Sequence, residues 1–168
     1  MLPATFLPDS PPESVRLAIP VMTPASGKRD DLTSHEDALV SCGIYGPGQL
    51  IYTASHLICS PVTGKIIDCD ALSYSFAVTS KKGLKIRVRY GHDMTRLMGE
   101  KCEFLVRKHS NVTAGDTVMR LNTAWLRQQQ VAPVCVVSVL NASALKALVP
   151  ARTSQLTAPH DVLFTAYA

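Results

Sequence analysis

Apolar residues along the chain fall in short runs, and each run is broken by Gly, Pro, Ser, Thr or Asp. Runs at Val15–Val21, Gln49–Thr53, Leu57–Ser60, Lys65–Asp68, Ser75–Thr79, Leu84–Tyr90, Val118–Leu121, Val134–Val139 and Val162–Thr165 predict strands. The clearest alternation is Lys85-Ile86-Arg87-Val88-Arg89-Tyr90, which ends on Gly91. Successive strand residues face opposite sides, so Ile86, Val88 and Tyr90 should enter a core while Lys85, Arg87 and Arg89 face outward. Many short strands separated by turn residues predict an all-β sandwich or barrel. Only two segments read as helices. Leu121–Gln130 carries Trp125 and Leu126 and ends in a polar Arg127–Gln130 stretch. Ser143–Val149 follows Asn141 as a cap, places Leu145 and Leu148 three apart, and is stopped by Pro150.

One internal repeat stands out. Thr23-Pro24-Ala25-Ser26-Gly27-Lys28 recurs 37 residues later as Ser60-Pro61-Val62-Thr63-Gly64-Lys65, and both copies follow an apolar run. Each suits a turn opened by proline and closed by glycine. A duplicated β motif and two ordinary turns of like composition would both produce this pattern.

Composition narrows the class. A chain of 168 residues with 46% hydrophobic content can bury one core, so residues 15–168 read as a single domain. Residues 1–14, with Pro3, Pro8, Pro11 and Pro12, read as a flexible lead-in. A net charge of +4 permits an acidic partner but argues against nucleic acid, and 6% aromatic residues give no stacking platform. The five cysteines are odd in number, form no CxxC pair and have no zinc-like spacing with histidine. They read as reduced thiols packed as small hydrophobes in a cytoplasmic protein. Residues 1–20 lack the charged start and long apolar run of a secretory signal, and no run is long enough to span a membrane.

Several motifs then follow one another in order. They are Pro24–Gly27, Glu36-Asp37-Ala38-Leu39-Val40-Ser41, Gly46-Pro47-Gly48, Ser60–Gly64, Gly83–Asp93, Val112-Thr113-Ala114-Gly115-Asp116-Thr117-Val118 and Ala132–Val137, with Asn141 beyond. In sequence and spacing over Val15–Ala168 they resemble glucose-type enzyme IIA, a phosphocarrier of the bacterial sugar phosphotransferase system. The resemblance implies a compact antiparallel β-sandwich, a duplicated hybrid motif, with little helix. It also implies a histidine that passes a phosphoryl group from HPr to enzyme IIB, supported by a second histidine. No cofactor is implied beyond an occasional metal at the paired histidines.

At the positions that the resemblance assigns to this chemistry, the chain departs from the family. Counted from Gly83, the phosphohistidine position is Arg89. Counted from Gly64, the supporting histidine position is Tyr74, and the helper threonine is Leu72. Guanidinium has donors only and no lone pair with which to attack phosphorus. The expectation is therefore an enzyme IIA-like protein without phosphotransfer and without the metal, acting as a binding or regulatory module for a protein partner. Its docking residues would be Asp37, Leu39, Val40, Tyr45, Phe76, Lys85, Arg87, Arg89 and Asp93, with Asp70 replacing an apolar rim residue. One alternative is an active carrier using His92 or another acceptor. By strand alternation His92 should face away from Arg89 unless the turn redirects it. A third reading is an anion- or nucleic-acid-binding β-domain using Lys85, Arg87 and Arg89. His35, His56, His109 and His160 read as ordinary solvated or hydrogen-bonded residues. Asp37 and Asp93 are candidate partners for Arg89.

Overall fold

The computed structural model describes residues 7–168. The part of the lead-in at residues 1–6 lies outside them. Leu7 packs against the main core, and the Ser14 carbonyl accepts a 2.8 Å bond from Lys146 Nζ.

Among the described residues, fourteen strands run in chain order as β1 (Ala18–Met22), β2 (Gly27–Asp31), β3 (Gly48–Tyr52), β4 (Leu57–Cys59), β5 (Gly64–Asp70), β6 (Ser75–Ser80), β7 (Lys85–Tyr90), β8 (Cys102–Phe104), β9 (Asn111–Val112), β10 (Thr117–Leu121), β11 (Val134–Val139), β12 (Ala147–Pro150), β13 (Gln155–Leu156) and β14 (Val162–Tyr167). Two short helices, α1 (Ala38–Ser41) and α2 (Thr123–Gln128), join them. Pairing is antiparallel throughout. One sheet of eight strands has the order β13-β2-β3-β11-β7-β6-β5-β9, and two sheets of three have the orders β1-β14-β12 and β4-β10-β8. The main core draws Val21, Ile58, Ile66, Val88, Met119, Val137, Leu148 and Phe164 from all three sheets. The fold is thus the all-β sandwich that the short apolar runs anticipate.

The repeat is a structural duplication. Thr23 Oγ1 donates to the Ala25 carbonyl and Ser60 Oγ to the Val62 carbonyl, each at 2.7 Å, so both turns close in the same way. The two turns then brace each other. Met22 N–H donates to the Pro61 carbonyl and Cys59 N–H to the Pro24 carbonyl, each at 2.8 Å. Each copy also holds a matching loop: Ala158 N–H donates to Ser26 Oγ and Ala114 N–H to Thr63 Oγ1, both at 2.9 Å. The glycines that close the turns press against the neighbouring strand. A Cβ on Gly27 would lie 1.9 Å from the Tyr52 carbonyl oxygen, and one on Gly64 would lie 1.8 Å from that of Thr79.

The structure corrects several local expectations. Ser143–Val149 is not a helix: Ala142–Ala144 makes one 3₁₀ turn, and β12 then pairs with β14. Asn141 does not cap it; its side chain bridges to the Lys85 N–H and the Gly83 carbonyl, each at 2.9 Å. Pro150 is tolerated because β12 is an edge strand. β2 escapes the apolar pattern because its residues, Gly-Lys-Arg-Asp-Asp, are polar; ladder bonds to β3 and β13 hold it instead. Cys135 packs as a small hydrophobe, and burial pushes its thiol up to about 12. Cys42 does not, being exposed beside α1.

Gly64→Ala should destabilise the protein by about 1–3 kcal/mol, since the added methyl meets rigid ladder backbone rather than a movable side chain. Urea unfolding should show a lower midpoint with an unchanged slope.

Candidate functional site

The central strands β3 and β11 carry apolar residues on both faces. Inward, Cys135, Val137 and Val139 enter the main core. Outward, Leu50, Val134 and Val136 form a second cluster with Leu32 and Val40. The segment between β2 and β3 supplies that cover. Asp37 caps α1 by accepting the Leu39 N–H at 2.9 Å, a contact generally worth about 1 kcal/mol. The helix buries Val40 and leaves Leu39 exposed.

Arg87 and Arg89 lie on this outer face. Arg89 stands in register between Val136 on β11 and Ser75 on β6, and Arg87 between Ser138 and Ala77. The Arg89 guanidinium lies 5.6 Å from the centre of the Tyr45 ring. Its Nε and Nη2 are buried and have no hydrogen-bond partner. Burial, and after it the Arg87 charge, push Arg89 below the ordinary arginine value. Arg87 Nη2 reaches only Ser75 Oγ, at 3.4 Å.

His92 joins this neighbourhood, against the expectation from strand alternation. Gly91 takes φ +74° and Asp93 φ +54°, so the chain folds back after β7. His92 Nδ1 then lies 3.4 Å from Asp37 Oδ2, and its ring meets that of His35 edge to face at 5.6 Å. His35 is buried, not solvated. Its Nδ1 accepts the Asp37 N–H at 3.0 Å, which places its proton on Nε2, a buried donor with no partner. Burial, then His92 and Arg89, lower its pKa; Asp37 and Glu36 oppose the shift.

The remaining expected residues are dispersed. Phe76 is not on this face: it sits opposite Val88 and is buried in the main core, because Ser75 and Ala77 take the outward positions of β6. Val40 is likewise buried in the outer cluster and offers no surface. Tyr45 and Lys85 are exposed. Leu72 is exposed on the turn before β6, where Asp70 accepts the Leu72 N–H at 3.0 Å and the Ser73 hydroxyl at 2.7 Å. Tyr74, at φ +52°, turns inward: it is fully buried and donates its hydroxyl to the Glu100 carbonyl. Burial pushes that hydroxyl up to about 12. Asp93 precedes a 3₁₀ turn, Met94–Leu97, and pairs with neither arginine. Among the described residues, no three His, Cys, Asp or Glu side chains are grouped to hold a metal ion.

Residues 19–145 match the family described as phosphoenolpyruvate-dependent sugar phosphotransferase system, EIIA 1. The chain belongs to this family. It is 23% identical over 137 residues to the glucose-specific EIIA component of Haemophilus influenzae, covering 82% of each chain. It is 25% identical over 127 residues to the N-acetylglucosamine-specific EIICBA component of Escherichia coli, covering 74% of this chain and 20% of that protein. It is 22% identical over 122 residues to the glucoside-specific EIICBA component of Staphylococcus carnosus, covering 73% of this chain and 18% of that protein. The chain thus spans about a fifth of the length of these larger relatives. The glucose permease IIA of Mycoplasma capricolum has the same fold, with a TM-score of 0.78 at 20% identity, over 89% of this chain and 96% of that one. Among the described residues, no helix of this EIIA-family chain is long and apolar enough to cross a membrane.

The residue that sequence reasoning passed over is His35. Its only signal is its place two residues before the helix-capping Asp37, and nothing in that spacing reveals burial. Because His35 is held neutral, its contribution to stability is present above the ordinary imidazole value of about 6.5 and is lost as pH falls through its lower folded value. Urea midpoints should therefore drop from about pH 7.5 to about pH 5. His35→Asn, whose Oδ1 can take the Asp37 amide, should flatten that drop.

Proposed function

We propose that this EIIA-family chain has lost phosphotransfer at the family's histidine positions and serves as a binding or regulatory module for a protein partner. The observation that carries this reading is the pair Arg89 and Tyr74. One is a guanidinium without a lone pair. The other is a buried phenol committed to a backbone carbonyl. Neither can take or support a phosphoryl group. The exposed Leu39, Tyr45 and Lys85, with Asp37 and the half-buried Arg87 and Arg89 beside them, would form the recognition face. Cytoplasmic work, with phosphotransferase-system proteins or a regulated protein as the partner, fits the unpaired cysteines and the larger relatives' fused EIICBA composition.

A second reading rests on His92. A carboxylate beside Nδ1 orients the ring and leaves Nε2 as the free nucleophile, an arrangement suited to accepting a phosphoryl group. One experiment separates the two. The protein is incubated with phosphoenolpyruvate, enzyme I and HPr, and acid-labile phosphate is measured. No labelling is expected. Labelling that disappears in His92→Ala would overturn the first reading in favour of the second.

A further inference from the structure

The outer face holds more positive charge than it neutralises. Neither Arg87 nor Arg89 is in an ion pair among the described residues. The nearby Asp37 carboxylate is already occupied by the Leu39 N–H at 2.9 Å and by His92 at 3.4 Å. Arg89 leaves Nε and Nη2 unpartnered, and His35 leaves Nε2 unpartnered. These groups are donors, and unpaired buried donors are costly, so the face is short of acceptors.

Space lies beside that charge. Arg87, Arg89, Tyr45 and Ser138 line a narrow cavity of about 10 Å³, room for roughly one oxygen atom. Arg87 and Tyr45 also line an open groove of about 370 Å³, whose other walls include Ile44, Pro47, Val139 and Leu140. Ile44 is 66% exposed and Leu140 45%, so the groove has an apolar lip with no cover from the described residues. Two larger grooves, of about 610 and 640 Å³, lie elsewhere and do not include these arginines.

We propose that this face docks an acidic protein segment, seating an Asp or Glu carboxylate against Arg87 and Arg89 and an adjacent apolar side chain between Ile44 and Leu140. The proposal rests on the binding-module reading and names the chemistry of its partner. Charge complementarity selects the occupant, because Arg presents paired donors to a carboxylate. The apolar lip beside the arginines favours a peptide carboxylate over a free oxyanion, which has nothing to set against Ile44 and Leu140. A carboxylate can insert one oxygen and leave its second oxygen and its chain in the groove.

The test is an NMR titration of the full chain, labelled with ¹⁵N. The probes are a capped hexapeptide alternating Leu and Glu, its Leu/Lys counterpart, and sodium phosphate. The Leu/Glu peptide should shift the Ile44 and Leu140 amides and the Arg89 Nε–H signal. Its affinity should fall about tenfold or more in Arg87→Gln and in Arg89→Gln, the loss expected on removing one charged partner. Arg87 is the less enclosed of the two, so its variant keeps the test valid if the Arg89 variant misfolds. The Leu/Lys peptide should leave these signals in place. Equal binding of the Leu/Lys peptide, affinity unchanged in Arg87→Gln, or no shift at millimolar Leu/Glu peptide would each overturn the proposal. Phosphate that saturates the same signals with the same affinity would reassign the face to a free anion. None of these outcomes bears on the phosphate-labelling result, so failure here is distinguishable from failure of the binding-module reading.

Discussion

Every residue of β11, Val134–Val139, is buried, and this one constraint organises the rest of the outer face. A strand in the middle of an eight-stranded sheet has its inward side covered by the sandwich. Its outward Val134 and Val136 need a second cover, and with Leu50 they would otherwise expose a large apolar patch. The chain meets that need with the segment between β2 and β3, which lays Leu32 and Val40 over them. The same segment carries His35, Asp37 and Tyr45. Covering the hydrophobic strand and composing the polar neighbourhood of Arg89 are therefore one structural act.

That coupling explains why the neighbourhood is chemically crowded. The apolar cover holds Arg89 half-buried and His35 buried, where charge is expensive. The protein offsets this by tying Asp37 to the helix terminus and to His92, and by setting the guanidinium against the Tyr45 ring. The donors left over on Arg89, beside a small cavity, are what a ligand oxygen would satisfy.

Much of the fold was legible in the residues. The alternation of Lys85–Tyr90 assigns its two faces correctly, and the ordered motifs identify the family. What escaped depends on context beyond the local pattern. Leu145 and Leu148 fit a helix as well as a strand end, and only pairing with β14 decides for the strand. Phe76 reads as docking surface until the register of Ser75 against Arg89 is known. The direction of His92 is set by two residues with positive φ, which alternation does not encode. His35 is buried by a loop crossing a distant strand, and a lone histidine in a polar stretch carries no mark of that.

The two Pro-opened turns carry a consequence of a different kind. Each lends its carbonyl to the other's flanking strand, so neither half of the duplication contains its own full set of backbone partners. The architecture is held by a handshake at the seam, which uses no residue of the charged face. A scaffold secured in this way can change the side chains that face displays and lose no part of the joint that keeps it upright.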